Sequence, residues 1–171
     1  IAGCGLAILA CSVLGLFSGS MIAFFGVPPF VATLGMMMVG SGLAYMLSGG
    51  LSIYQLPQSF DWLGRGDDIV GIPNAVVLMV VLYLLAHTIM SRTTVGRYIY
   101  AVGGNPEAAR LSGVPVKKIL LWVYASCGAL AGLGGVIMAS QFKSGDPKYG
   151  LMYELYVIAA VVVGGTSLSG G

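Results

Sequence analysis

The sequence predicts an all-α, polytopic membrane protein: one transmembrane domain over 1–171 with about five transmembrane or re-entrant helical segments. Three observations carry that prediction. Only 8% of the residues are charged and 57% are hydrophobic, where a soluble domain has about 25% charged residues. Mean hydropathy is +0.93, which excludes both an ordinary soluble domain and a disordered chain. Apolar runs approaching the length of a bilayer crossing recur along the chain.

The first segment runs from about residue 1 to 17, already apolar at Ile1 and without a basic leader, so it reads as a span rather than a signal peptide. The second covers about 30–47, after "FGVPPF". The third, 73–90, measures roughly 27 Å at 1.5 Å per residue, close to the bilayer core. The fourth covers about 119–141. The fifth begins near Tyr153 and reaches Val163 before "GGTSLSGG". It is short for a crossing and fits a broken or re-entrant element, which a membrane tolerates where backbone lines a cavity. Pro28-Pro29 and Gly164-Gly165 interrupt apolar sequence and mark candidate broken segments near a pathway. Both ends of the chain read as cut from a longer polypeptide.

Charge orients these segments. Residues 91–118 carry Arg92, Arg97, Arg110, Lys117 and Lys118 against Glu107; five cations and one anion leave +4. Residues 49–71 carry Asp61, Asp67 and Asp68 against Arg65, leaving −2. The positive-inside rule then predicts a cytoplasmic loop at 91–118 and extracytoplasmic loops at 49–71 and 142–151. Lys117 and Lys118 stand at a helix N-terminus, where the macrodipole disfavours cations, so topology explains them better than helix stability. In the outer loop Tyr54 and Trp62 read as interfacial anchors. Its aspartates read either as a solvated surface or as a docking patch for an external protein.

The fourth segment has one face of small residues: Ala125, Gly128, Gly132, Gly135 and Ala139 follow steps of three and four. Gly15 and Gly19 repeat the GxxxG spacing on the first segment. Such stripes let two backbones approach; helix packing is the plainer reading and a moving or pore-lining seam the sharper one. Cys4, Cys11 and Cys127 lie in apolar helical context without a CxxC pair and read as small buried hydrophobes. His87 is the only histidine; it reads as a packing residue, with a proton relay as the alternative. The sequence shows no catalytic residue set, no metal-ligand cluster, and neither GxxxxGK[ST] nor GxSxG. Any ATP hydrolysis is therefore expected on another chain. The small net charge of +2 does not suggest nucleic acid.

One stretch, "GGNPEAARLSGVPVKK" at 103–118, gathers the charge. Asn105 is a good N-cap, Pro106 suits the first helical position and Glu107 the first turn. Gly113 can take the left-handed position after the last turn, and Pro115 follows as a stop. The punctuation predicts a two-turn helix over about 106–112. Alone in water such a helix is unstable. It docks on its own domain or in a partner's groove; as local chemistry, a cytoplasmic knob and a capped turn between spans both fit.

"VPPFVATLGMMMVGSGLAYMLSGG" at 27–50, "RTTVGRYIYAVGGNPEAARLSGVPVKK" at 92–118 and "YELYVIAAVVVGGTSLSGG" at 153–171 resemble the permeases of sugar-importing ABC transporters. The subgroup is the ribose/xylose/galactose type, within the superfamily that includes branched-chain amino acid permeases. The resemblance covers about residue 18 to the end. It implies a dimeric permease of some ten helices, of which this chain would be a part. It implies a partner ATP-binding subunit carrying ATP and Mg, an external (periplasmic) sugar-binding protein, a second permease subunit forming a homodimer, and a bacterial inner membrane. It also implies that 106–112 is a coupling helix, with Asn105, Glu107, Ala108, Ala109, Arg110, Leu111 and Gly113 as the contact set. A "GIDLSVG"-type element and an aspartate two positions after Glu154 belong to the family pattern; the first is missing and Tyr156 stands at the second position.

A sugar path needs hydrogen-bonding groups and aromatic faces on apolar walls. The candidates are Thr33, Ser41, Tyr45, Asn74, Tyr124 and Gln141, with Glu154 either interfacial or turned to protein or water. Competing readings are a permease for nucleosides or branched-chain amino acids, an ATP-independent secondary transporter, and a non-transporting scaffold.

Overall fold

The structure is a computed structural model that describes residues 2–54, 60, 64, 66 and 71–166. The helices, in chain order, are α1 (Ala2–Phe25), α2 (Pro29–Ser48), α3 (Asn74–Arg92), α4 (Thr94–Gly104), α5 (Pro106–Leu111), α6 (Val116–Phe142) and α7 (Tyr153–Val163). An isolated antiparallel bridge joins Ile53 and Gly145. Four helices, α1, α2, α3 and α6, are long and apolar enough to cross a membrane. With 11 residues α7 reaches only about 16 Å, half of a bilayer core.

The first span is longer than the sequence suggested. Ser18 and Ser20 lie past the expected end near residue 17, and their hydroxyls donate back to Leu14 O (3.2 Å) and Phe17 O (2.7 Å), so the polar groups are satisfied within the helix. The helix stops at Gly26, whose φ of 66° leaves the helical region. Pro28 caps α2 and Pro29 starts it. At its far end Gly49 turns left-handed, and Gly50 N–H returns to Tyr45 O at 3.0 Å.

α1 and α6 form the main helix pair, and it runs antiparallel. A Cβ on Gly19 would meet Leu121 and Tyr124, one on Gly15 would meet Tyr124 and Gly128, and one on Gly132 would meet Cys11 and Ile8. Gly128 and Gly132 thus do what the small-residue stripe predicted. Gly135 does not: a Cβ there would meet nothing within 4 Å. The helices have diverged by that point. The cysteine reading also needs correction, since Cys127 is exposed while Cys4 and Cys11 are half-buried. On α6 the close approach is made at Gly128, and Cys127 is rotated off that face.

The two ends of the molecule are tied differently. At one end Lys117 Nζ lies 5.0 Å from the centre of the Phe24 ring, joining the start of α6 to the end of α1. At the other, Ile53 and Gly145 exchange backbone hydrogen bonds of 2.8 Å, and Ser52 Oγ donates to Asp146 Oδ2 at 2.6 Å. The connector after α2 and the one after α6 therefore meet, as two loops on one side of a membrane can. Tyr54 in that connector is exposed. Asp61, Trp62, Arg65, Asp67 and Asp68, and the end of "GGTSLSGG", lie outside the described residues.

Candidate functional site

The charged stretch folds into a three-helix elbow. α3 ends and α4 begins on a single residue. Thr93, extended at φ −109°, donates its hydroxyl to Ile89 O (2.7 Å) and accepts Gly96 N–H (3.2 Å). Gly96 is required there: a Cβ would stand 2.6 Å from Ile89 O and Met90 Cα. α4 places Ile99 and Val102 on one face, three residues apart, and leaves Arg97, Tyr98 and Tyr100 exposed on its outer side. Sequence reading missed this helix. Its signals were local, a Thr-Thr start and the Ile99/Val102 spacing.

The short helix follows the expected punctuation. Asn105 Oδ1 accepts Glu107 N–H (3.0 Å) and Ala108 N–H (3.1 Å). Two of the otherwise orphaned amides of the first turn are thereby satisfied. The helix ends at Leu111, with Ser112 as its cap and Gly113 left-handed at φ 82°. Glu107 lies in its first turn and Arg110 in its last, each favoured by the helix dipole.

This short helix is seated by apolar packing. Val102 of α4, Ala109 of α5 and Ile119 of α6 form a buried cluster, with Ile99, Val114, Val116, Leu120 and Val123 around it. Three of the four buried apolar side chains among the described residues are in that cluster. Ala109 therefore faces its own chain. Of the expected contact set, Asn105, Glu107, Ala108, Arg110, Leu111 and Gly113 are exposed, Leu111 at 87%. The elbow displays a narrow ridge with one acid, one base and one uncovered leucine.

The polar groups on the spans divide into two sets. Thr33 and Tyr124 come together with Ser18 in a groove of about 340 Å³ between α1, α2 and α6, floored by Gly15 and Gly128. Thr33 Oγ1 is bonded to its own helix, to Pro29 O (2.9 Å) and Phe30 O (3.1 Å). Half-buried Tyr124 adds an aromatic face and a phenol. Sequence reading did not foresee Ser18, Met36 or Met37 in this groove. Ser41 and Tyr45 lie farther along α2 and do not line it. Asn74, buried at the start of α3, donates its N–H to Gly66 O at 2.8 Å. Gln141 is exposed at the end of α6 and Glu154 sits in the first turn of α7. These last three are not gathered with Thr33 and Tyr124. His87 is exposed on α3.

Comparison with known proteins decides the family. The model of the branched-chain amino acid transport system / permease component family matches residues 1–171. The chain belongs to that family. Over 164 residues it is 41% identical to the ribose import permease protein RbsC of Escherichia coli (strain K12), covering 94% of this chain and 51% of that protein. It is 38% identical over 154 residues to the L-arabinose transport system permease protein AraH of the same organism (90% and 47%). It is 39% identical over 163 residues to the fructose import permease protein FruF of Bifidobacterium longum (92% and 46%). The chain thus spans about half the length of the curated relatives it matches. No solved structure matches. As a family member with four membrane-length helices, the chain is a multi-pass membrane protein of the permease kind.

Proposed function

We propose that this chain is the membrane-spanning part of an ATP-driven importer that moves a monosaccharide across a bacterial inner membrane. The family and the sugar-import names of its relatives support the reading. The structural observation that carries it is the elbow: a capped two-turn helix seated on α6 and exposing Glu107, Ala108, Arg110 and Leu111. A separate ATP-binding subunit, which carries ATP and Mg, holds this ridge in a cleft. Leu111 supplies the apolar anchor, and Glu107 and Arg110 set the orientation by charge. The same reading makes the elbow end cytoplasmic, in line with its cations. The Ile53/Gly145 end then faces an external sugar-binding protein, and a second permease copy completes the assembly.

The chain performs no covalent chemistry in this scheme. Force on the ridge passes through Val102, Ala109 and Ile119 into α6, and from α6 into α1 where Gly15 and Gly128 touch. The groove holding Thr33 and Tyr124 lies across that same contact, so its width changes as the helices move. Hydroxyls there offer hydrogen bonds and Tyr124 offers a face to sugar C–H groups.

The test is co-purification of the full-length permease with its ATPase. Glu107→Lys combined with Arg110→Glu reverses both charges on the ridge and is expected to abolish association and transport. Unchanged association would remove the coupling role from this helix.

A further inference from the structure

The small-residue stripe on α6 is only half used, and the unused half points to a second arrangement of α1 and α6. From Gly19 to Ile8 the helices touch through Leu121, Tyr124, Gly128 and Gly132. Beyond Gly132 they separate, leaving a groove of about 520 Å³ walled by small residues, among them Cys4 on α1 and Gly135 and Ala139 on α6. The register of the closed half continues into this groove. Gly15 sits over Tyr124 and Gly128, and Cys11 over Gly128 and Gly132. Stepping on by two helical turns places Cys4 opposite Gly135 and Ala139. Val136 is the one side chain on the two helix walls larger than cysteine.

The bulkiest side chain lining the groove comes from outside both helices, from Phe60. It lines the groove beside Val136 and Ala139, and its backbone is clamped. Ser140, fully buried, donates its hydroxyl to Phe60 O (2.6 Å) and accepts Gly64 N–H (2.9 Å). Gly64 lies so close that a Cβ would stand 2.7 Å from Gln141 N and 2.8 Å from Ser140 Oγ. The clamp accepts only glycine at that position.

We propose that Phe60 is a removable wedge: clamped by Ser140, it keeps the far halves of α1 and α6 open, and its withdrawal lets them zip along Cys4, Gly135 and Ala139. Small-residue walls in register supply the closed state, and a ring held through two backbone hydrogen bonds supplies a reversible stop. The device rests on the fold alone and does not depend on an ATPase gripping α5.

Disulfide trapping in the full-length protein, reconstituted in nanodiscs, tests it. Ala139→Cys is introduced beside native Cys4, with Cys11→Ser and Cys127→Ser removing competitors, and the rate of Cys4–residue 139 cross-linking by a mild oxidant is read. Phe60→Ala is expected to raise that rate roughly tenfold by shifting a two-position equilibrium, and Phe60→Trp to lower it. Gly64→Ala, which displaces the clamp without touching the groove wall, is expected to act like Phe60→Ala. Rates insensitive to the residue at position 60 would overturn the proposal. So would a rate already maximal with Phe60 in place.

Discussion

A Cβ placed on Gly128 would stand 3.1 Å from the Cα of Gly15 and closer still to the Cys11 carbonyl. The first and fourth spans therefore touch backbone to backbone at this point, where association in lipid depends on packing rather than on water exclusion.

Gly128→Val is expected to drive the spans apart and to cost about 1–3 kcal/mol, the usual range for overpacking a close contact. Thermal unfolding in detergent reads this as a lower midpoint. Gly135→Ala, at a position with open space, is expected to stay within about 0.5 kcal/mol of the parent. Equal losses at both positions would mean that the seam is not where the structure puts it.

Removing the cap of α5 should loosen the ridge without unfolding the spans. Asn105→Ala withdraws the acceptor of two amides and is expected to cost about 1 kcal/mol locally. Hydrogen exchange at Glu107 and Ala108 should accelerate, while exchange within α6 stays as it was.

Ile119→Ala empties the middle of the buried cluster, for which about 2–5 kcal/mol is typical of a large-to-small core change. Because that cluster seats α5, the expected readout is faster tryptic cleavage at exposed Arg110. Cleavage unchanged by the substitution would show that the short helix is held by something other than this packing.

At the opposite end, hydrogen bonds from the Ser52 hydroxyl and the Lys148 amide, in that order, hold the Asp146 carboxyl below its ordinary pKa. A carboxyl depressed by folding stabilises its surroundings above the unfolded value, near 3.9, and that contribution is lost as pH falls through the lower folded value. The Ser52–Asp146 tie is therefore expected to hold unchanged through neutral pH and to loosen only under strong acid. Exchange at Ile53 and Gly145 amides against pH measures it, and Ser52→Ala should move the loosening to higher pH.

How far the sequence revealed all this depended on range. The α5 knob was legible because Asn105, Pro106, Gly113 and Pro115 act on neighbours within a few residues. The α1–α6 seam was legible as far as Gly132, since small-residue spacing reports what a helix permits; it cannot report where a partner veers away, hence the error at Gly135. α4 was overlooked because its apolar face is short and its role is to back another helix. The clamp on Ser140 left no readable mark, as its partners are backbone atoms 76 and 80 residues distant in the chain. Among the polar candidates, type alone did not separate Thr33 and Tyr124, which share a groove, from Asn74, Gln141 and Glu154, which do not join it.

Thr93 belongs to two helices at once, closing one and opening the next with the same side chain. The corner consequently has no slack in which to absorb an extra amino acid. One insertion would swing everything downstream by about 100° of helical phase, pointing the ridge away from whatever grips it. Lineages of this protein should keep an invariant count between His87 and Asn105.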